Sequence, residues 1–568
     1  MWGWFKGGGG DAATPAAATP QGQQAPTSLF RYLAARAGGK WEEVATNAAP
    51  QLYDAHEDSK KAPEWHLEVD GAQEPIDTVV DDQFSFEAKE LRVTFFSGED
   101  IWALKFGSPG AFERFLQKYN KAAFENRFGQ EQTEATEVKL FGDFAANLNG
   151  VENDESRQAW VEDMDLDKPD PRELRTPTKD RVVTEKRSPI HGVVLGATER
   201  SYLMRDNQID VMRNVVGGVE DTGLSFKLTP PPGAVGLGGG STPTLTPPKA
   251  LLMNQERKMN MISPLAGSSM WHADIETGKV ISEWKFQKDG VDVAMKDITT
   301  ENKAAQEHDS SVFLGLDTNR LARWDMRDPH GIVSQAASPI VNYAGGKDYA
   351  RGTKFSCMAT SGDGYVVVGA DDGKVRLYSE KTLTQAKTSI PGMGLPITNV
   401  DVTYDGKWVL ATTRNYLMVI KTTYKDPKSG KDLCGFTSRM GANAPAPRLL
   451  RLKTEDQKLT KGAALEKGHF TWITEKGRQE RWVVASCGNY TVLWNFRSVK
   501  IAEPEVVSYG GLTTVTKYHM VRKDEHVVDS VFMHDKFNRA TQRADETSMV
   551  VVTKTHVYAV GDDDSDEE

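Results

Sequence analysis

Val366-Val-Val-Gly-Ala370, Asp371-Asp372-Gly373-Lys374 and Val375-Arg-Leu-Tyr378 are the unit from which the rest of the chain is interpreted. An apolar run, a short polar turn and a second apolar run make a β-hairpin. Gly373 is the residue expected to take positive φ in that turn. The same residues superficially resemble a phosphate-binding loop. However, Gly369 and Gly373 are separated by three residues where a Walker loop has four, and Lys374 is followed by Val375. The segment also leads into a strand, so no helix N-terminus would face an anion.

Six further stretches look like versions of this hairpin. They are Asn207-Gln-Ile-Asp-Val-Met212, Ser268-Ser-Met-Trp-His-Ala273, Asn319-Arg-Leu-Ala-Arg-Trp324, Asn415-Tyr-Leu-Met-Val-Ile420, Asn489-Tyr-Thr-Val-Leu-Trp494 and Thr555-His-Val-Tyr-Ala-Val560. Each starts at a small or turn-forming residue and enters a strand-like run. In the clearest cases a partner run precedes it, as in Trp408–Thr412 and Trp482–Ser486. A hairpin unit repeated along a chain buries each face against the next unit. The fold class expected is therefore mainly β: a WD-like β-propeller of seven blades. The rival architecture is a pair of stacked sheets, since hairpin periodicity alone does not close a ring. The repeat starts are 42 to 74 residues apart, against roughly 40–45 for a WD-type blade. The excess is assigned to loops, Thr229–Lys249 and Lys425–Lys467 above all. Trp324, Tyr378, Ile420 and Trp494 share an offset from the turn residue and should occupy equivalent strand positions. Ring closure needs a partner for the last strand, and Glu199–Val211 is the expected region.

The chain of 568 residues carries a net charge of −11, and six acidic groups lie in the last eight residues. The body is thus mildly acidic and shows no basic stripe, so nucleic acid is not an expected partner. No run approaches the roughly 18 apolar residues of a membrane span. Stable membrane insertion is not expected, and the first ten residues lack a signal-peptide apolar region. Cys357, Cys434 and Cys487 form no CxxC pair, and Cys357 and Cys487 sit in apolar strand contexts. They read as small buried hydrophobes in a reducing compartment, cytosol or nucleus.

Along the chain, residues 1–27 are rich in Gly, Ala, Pro and Gln and are expected to be disordered. Residues 28–128 are expected to form a small domain. Ser28–Leu33 reads as a short helix, because Leu29, Tyr32 and Leu33 share a face. Strand alternation follows from Trp65 to Phe106. The period then becomes helical: Ser108 suits an N-cap, Pro109 the first turn, and Phe112, Phe115, Leu116 and Tyr119 one apolar stripe. Antiparallel strands followed by one amphipathic helix is the order of a pleckstrin-homology-like (PH-like) α+β fold. The strand region around Glu64–Asp100 is strongly acidic, which disfavours a phosphoinositide ligand. Residues 129–190 read as a charged linker, residues 191–560 as the propeller and 561–568 as an acidic disordered tail.

The chain contains no HExxH and no GxSxG. His526 and His534 lie close in sequence without a third ligand at metal spacing. No catalytic, cofactor-binding or metal-ligating residue is assigned, and no cofactor is expected. Ser565 has acidic neighbours on both sides, the arrangement preferred by acid-directed casein-type kinases. Thr176-Pro and Ser188-Pro are minimal sites for proline-directed kinases, although such dipeptides are common in linkers by chance.

An ordered series of strings goes beyond generic propeller pattern. It runs Asp274-Ile-Glu-Thr-Gly-Lys-Val-Ile-Ser-Glu-Trp284, Phe313-Leu-Gly-Leu316, Arg323-Trp-Asp-Met-Arg-Asp328, Phe355-Ser-Cys-Met-Ala-Thr360, Gly364-Tyr-Val-Val-Val-Gly369, Asp405-Gly-Lys-Trp408 and Leu410-Ala-Thr412. This series closely resembles the C-terminal propeller of the fungal vacuolar import and degradation protein twenty-seven family, whose plant members are the defective-embryo-and-meristems (CYPRO-type) proteins. The resemblance is firmest from Ala250 to Lys421, and Trp102–Phe124 also looks like the family's PH-like domain. Two features depart from it: the chain opens Met-Trp where the plant members open Met-Gly, and the insertion Thr229–Lys249 looks particular to this sequence. The resemblance implies a propeller and points toward trafficking, turnover or development. The function expected is a non-catalytic scaffold or adaptor for protein partners. The rivals are an enzyme or small-ligand site in the propeller channel, and a membrane-peripheral adaptor using the PH-like domain.

Overall fold

Seven sheets, each built on four antiparallel strands, are arranged around an axis in the computed structural model, among the described residues. The structure describes residues 26–33, 39–56, 61–71, 75–149, 152–162, 164, 179–231, 245–288, 290–327, 340–342, 344–348, 353–474, 480–503, 512–537 and 548–561. Blades 1 to 7 are numbered by their inner strands: Ile190–Val194, Ala250–Met253, Asp297–Thr300, Phe355–Thr360, Asn399–Val402, Leu465–Phe470 and Val527–Phe532. Each inner strand touches the next, and the seventh touches the first, so the ring closes.

The apolar runs follow from burial on both faces. In blade 4 the whole strand Val366–Ala370 is buried. Val366, Val368 and Ala370 enter the cluster shared with blade 3. Val367, between them, enters the cluster shared with blade 5. Successive side chains point to opposite faces of a strand, and here both faces are dry. The seven blade-to-blade junctions are filled by seven such clusters. Gly373 has φ +78° in the turn before Val375, as a hairpin requires. Trp324, Tyr378, Ile420 and Trp494 all lie on the third strand of their blades, facing Phe313, Val366, Val409 and Val483 of the second.

Four expectations are corrected. Glu199–Val211 does not close the ring; it contributes the second and third strands of blade 1. The closing strand is Lys179–Glu185, which pairs antiparallel with His556–Gly561 and places Val182 opposite Tyr558. Its sequence, Lys-Asp-Arg-Val-Val-Thr-Glu, is charged because an outermost strand keeps one side exposed. Residues 129–190 are therefore no simple linker. They hold the helices Glu134–Phe141, Ala145–Asn149 and Asp154–Val161 besides the closing strand. Phe141, Phe144 and Leu148 fall at i, i+3 and i+7, but intervening charged and polar residues mask the stripe; all three are buried against blades 4 and 5. Ser28–Leu33 is a strand rather than a helix, pairing with Asp100–Lys105; tertiary pairing outweighs a short helical period. The expected loop Lys425–Lys467 also contains the outer strand of blade 5, Arg448–Leu450, and the helix Thr454–Leu459.

The N-terminal unit has a five-stranded sheet (Ser28–Leu33, Lys40–Ala45, Ser85–Glu87, Arg92–Ser97, Asp100–Lys105) and a three-stranded one (Ala49–Asp54, Trp65–Asp70, Ile76–Val79). The helix Pro109–Phe128 follows. The Ser108 hydroxyl accepts from Ala111 N–H at its start, and Gly129 ends it at φ +61°. Phe112, Phe115 and Tyr119 join the core between the sheets, with Leu116 packed against it.

Candidate functional site

All seven inner strands face a central channel enclosing a cavity of about 510 Å³. Charged residues on and beside those strands form a belt of pairs that cross from blade to blade. Lys249 Nζ lies 3.3 Å from Asp297, joining blades 2 and 3. Lys303 Nζ lies 2.8 Å from Asp401, joining blades 3 and 5. Lys467 Nζ lies 3.1 Å from Asp529, joining blades 6 and 7. His469 stands between two carboxylates, with Nδ1 4.0 Å from Asp401 and Nε2 3.8 Å from Asp529.

Backbone donors fix the carboxylates. Asp297 accepts from Met358 N–H at 3.0 Å, Asp401 from Phe470 N–H at 2.8 Å, and Asp529 from Ser530 N–H at 3.0 Å. Burial works against ionisation of Asp401, but Lys303 and His469 outweigh it and hold its carboxyl below the usual range. Burial lowers the His469 pKa against the pull of Asp529 and Asp401. The channel thus presents compensated ion pairs and polar strand edges. The buried cysteines Cys357 and Cys487 are poor nucleophiles: burial pushes Cys357 up to about 12 and Cys487 up to about 11.

The loop Glu301–Ser311 of blade 3 closes in on this channel. Lys303 and Gln306 line the cavity. Lys303 N–H donates to Ser361 of blade 4, and His308 C=O accepts from Gln255 of blade 2. Glu307 reaches His534 of blade 7 at 3.1 Å. His534 also meets Asp535 at 2.9 Å, while the side chain of His526 is not part of this contact set. Among the described residues, no group of three or more His, Cys, Asp or Glu is placed to hold a metal ion.

A second candidate surface is already occupied by the chain itself. Asn415 Nδ2 donates to both oxygens of Asp82 at 2.9 and 2.8 Å, and Thr454 donates to Ser85 at 2.8 Å. Arg451 donates to the Asp82 carbonyl. These contacts seat the N-terminal unit on loops of blade 5. Residues 133–149 and 152–162 continue along the rim as a strap. Trp160 donates to the Ala446 carbonyl at 3.0 Å and packs on Trp408 with centroids 4.8 Å apart. Glu152 and Arg448 form an ion pair of 3.2 Å, with side chains 0 % and 2 % exposed. Arg448 also donates to the carbonyls of Val499 and Lys500, each at 2.6 Å, and lies over the Trp160 ring.

Sequence reasoning missed the belt and the strap. The belt does leave a trace, a lone Asp inside an apolar inner strand, as in Asn399-Val-Asp-Val402 and Val527-Val-Asp-Ser-Val-Phe532. Ser188 is placed at the ring seam. Ser565, Thr176 and the tail from residue 562 lie outside the described residues, as do residues 1–25 and most of the insertion Thr229–Lys249.

Comparison with known proteins gives a match between residues 193–561 and the family described as the VID27 C-terminal WD40-like domain. Residues 41–142 match a domain of unknown function (DUF7135). Vacuolar import and degradation protein 27 of Schizosaccharomyces pombe is 31% identical over 312 residues, which is 53% of this chain and 36% of that protein. Its Saccharomyces cerevisiae namesake is 27% identical over 305 residues, again 53% and 36%. The matched part of the chain therefore spans about a third of the length of these relatives. The β-propeller domain of Myceliophteria thermophila Cps50 (Swd1) is similar over 67% of this chain and 99% of that one, at 10% identity and a TM-score of 0.41.

Proposed function

On the premise that the chain belongs to the VID27 family, we propose that it is a non-catalytic scaffold that binds protein partners through its propeller loops. The observation that carries this reading is the closed ring whose channel charges are mutually paired. Groups committed to joining blades are poor candidates for proton transfer, and a rigid ring holds its loops in place for recognition. The relatives' name supplies the finer proposal, a role in vacuolar import or degradation. The compartment proposed is cytosol or nucleus.

We read the N-terminal unit as PH-like and as a packing or protein-binding module. It bears acidic Glu64, Glu68, Asp70 and Asp77 on and beside its second sheet, which repels anionic headgroups. Vesicle sedimentation should show no phosphoinositide-dependent pelleting; pelleting would favour the membrane-peripheral reading. The main test is affinity purification of the full chain with cross-linking mass spectrometry. Lys374 lies between the second and third strands of blade 4, whereas Lys407 lies between the first and second of blade 5. The two loops open on opposite faces of the ring. A stoichiometric partner cross-linked through one of these faces supports the scaffold reading. A chain that purifies alone, or a partner cross-linked to neither face, overturns it.

A further inference from the structure

Ser188 lies between the closing strand Lys179–Glu185 and the inner strand Ile190–Val194 of blade 1. It precedes Pro189, so it carries the minimal proline-directed kinase signal. Arg205 of blade 1 directs two donors at its hydroxyl, Nε at 3.1 Å and Nη2 at 2.5 Å. The parallel N–H pair of a guanidinium fits two oxygens of a phosphate. Two other serines before proline among the described residues are occupied differently. The Ser108 hydroxyl caps a helix, and the buried Ser263 hydroxyl accepts from Leu265 N–H.

Arg205 is itself well fixed. Its Nη1 donates to Asp210 at 2.8 Å, and its side chain is 12 % exposed. Lys186 Nζ shares Asp210 at 3.1 Å and reaches Asp221 at 2.6 Å. The nearby Asp206 is engaged by His191 at 2.6 Å. Two anchored cations thus flank the seam, and the local carboxylates are already paired.

We propose that Ser188 is a phosphorylation site whose phosphate is received by Arg205, latching the closing strand to blade 1. A proline-directed kinase supplies the group from ATP. The Oγ–P bond forms, the bond from the γ-phosphorus to the ADP oxygen breaks, ADP leaves, and the hydroxyl proton passes to the kinase base. Access follows from topology: the closing strand is the outermost of its sheet and pairs with His556–Gly561 along one edge. The loop after it is tied by Lys186 N–H to Thr555 and by Ile190 N–H to Lys554, each at 2.7 Å. It can peel from this edge while the inner strands stay paired. The phosphate adds about −1.5 to −2 charges opposite the guanidinium when the strand re-seats.

The test uses the full chain with phosphoserine placed at position 188 by codon reassignment. Hydrogen exchange of residues 179–190 is compared in the unmodified chain, the phosphorylated chain, and phosphorylated Arg205→Gln and Arg205→Lys. Phosphorylation should slow exchange roughly tenfold. The slowing should vanish in Arg205→Gln and shrink in Arg205→Lys, which keeps the charge and loses the fork. Unchanged or faster exchange on phosphorylation overturns the latch, and slowing that survives in both variants overturns Arg205 as receiver. A second arm treats unmodified chain with a proline-directed kinase and ATP and maps the products by tandem mass spectrometry. Modification at Ser188 is expected, and its absence while other Ser-Pro sites are modified overturns the assignment as a kinase site.

Discussion

Blade 4 and the rim strap formed by residues 133–149 and 152–162 both bury side chains, and they are encoded in opposite ways. Blade 4 takes its four strands from Phe355 to Ile390 without a break. Its burial is two-sided and continuous, so the sequence shows long apolar runs between tight turns. The strap is held by single anchors, Phe141, Phe144, Leu148, Trp160 and the Glu152–Arg448 pair, set among charged residues. Continuous burial writes a pattern that can be counted, whereas anchoring at isolated points leaves composition nearly unchanged.

The sharpest way to break this contrast is at the seam, where a locally encoded blade depends on a distant strand. Truncation before Met549 removes the second and third strands of blade 7 and leaves Lys179–Glu185 without a partner. The cooperative thermal transition of the whole ring should be lost. Truncation after Gly561 should leave its Tm unchanged. Equal damage from both deletions would place the tail in the fold and refute the contrast.

Within a blade, Trp324 is fully buried in the junction of blades 2 and 3. Trp324→Ala should cost roughly 3–5 kcal/mol by urea denaturation. A cost below about 1 kcal/mol, the range of surface substitutions, would mean the junction repacks and two-sided burial is not what holds the blades.

The strap should respond through one pair. Glu152→Ala leaves the Arg448 guanidinium buried without its carboxylate, and should cost roughly 3 kcal/mol. Replacing both residues by apolar ones of similar size, Glu152→Leu with Arg448→Met, should recover most of that loss. A double variant as unstable as the single one would show that the pair does more than neutralise itself.

The smallest effect concerns a titratable group kept inside a blade. His272 of blade 2 is 8 % exposed and faces Asn260. Burial, helped by Lys258, lowers its pKa to about 4 from 6.5. The fold therefore favours the neutral ring, and protons bind the unfolded chain first. The stability it contributes is complete above about pH 6.5 and is lost progressively as pH falls toward and below 4. His272→Gln should flatten this part of the stability profile. An unaltered profile in the variant would assign the acid sensitivity elsewhere.

Legibility followed the same division. The hairpins at Val366–Tyr378, Trp408–Ile420 and Trp482–Trp494 were readable because turn chemistry and apolar runs are local. The amphipathic helix after Ser108 was readable for the same reason. The strand Ser28–Leu33 was not, because six residues with Leu29, Tyr32 and Leu33 on a helical face also fit a strand once Asp100–Lys105 lies beside them. Trp160 stands in a charged segment with no local apolar pattern, and only Trp408 and Ala446 give it a place.

The repeated hairpin, the two-sided burial of each blade and the amphipathic helix of the N-terminal unit are legible along the chain, since each rests on neighbouring residues. Which strand closes the ring, where the strap docks and how the channel charges pair are settled only when the ring is folded. Lys303 and Asp401 are 98 positions apart, and Glu152 and Arg448 are 296 apart. A charge carries no mark of its partner along the chain. Pairing is fixed by which groups the folded ring brings within hydrogen-bond distance.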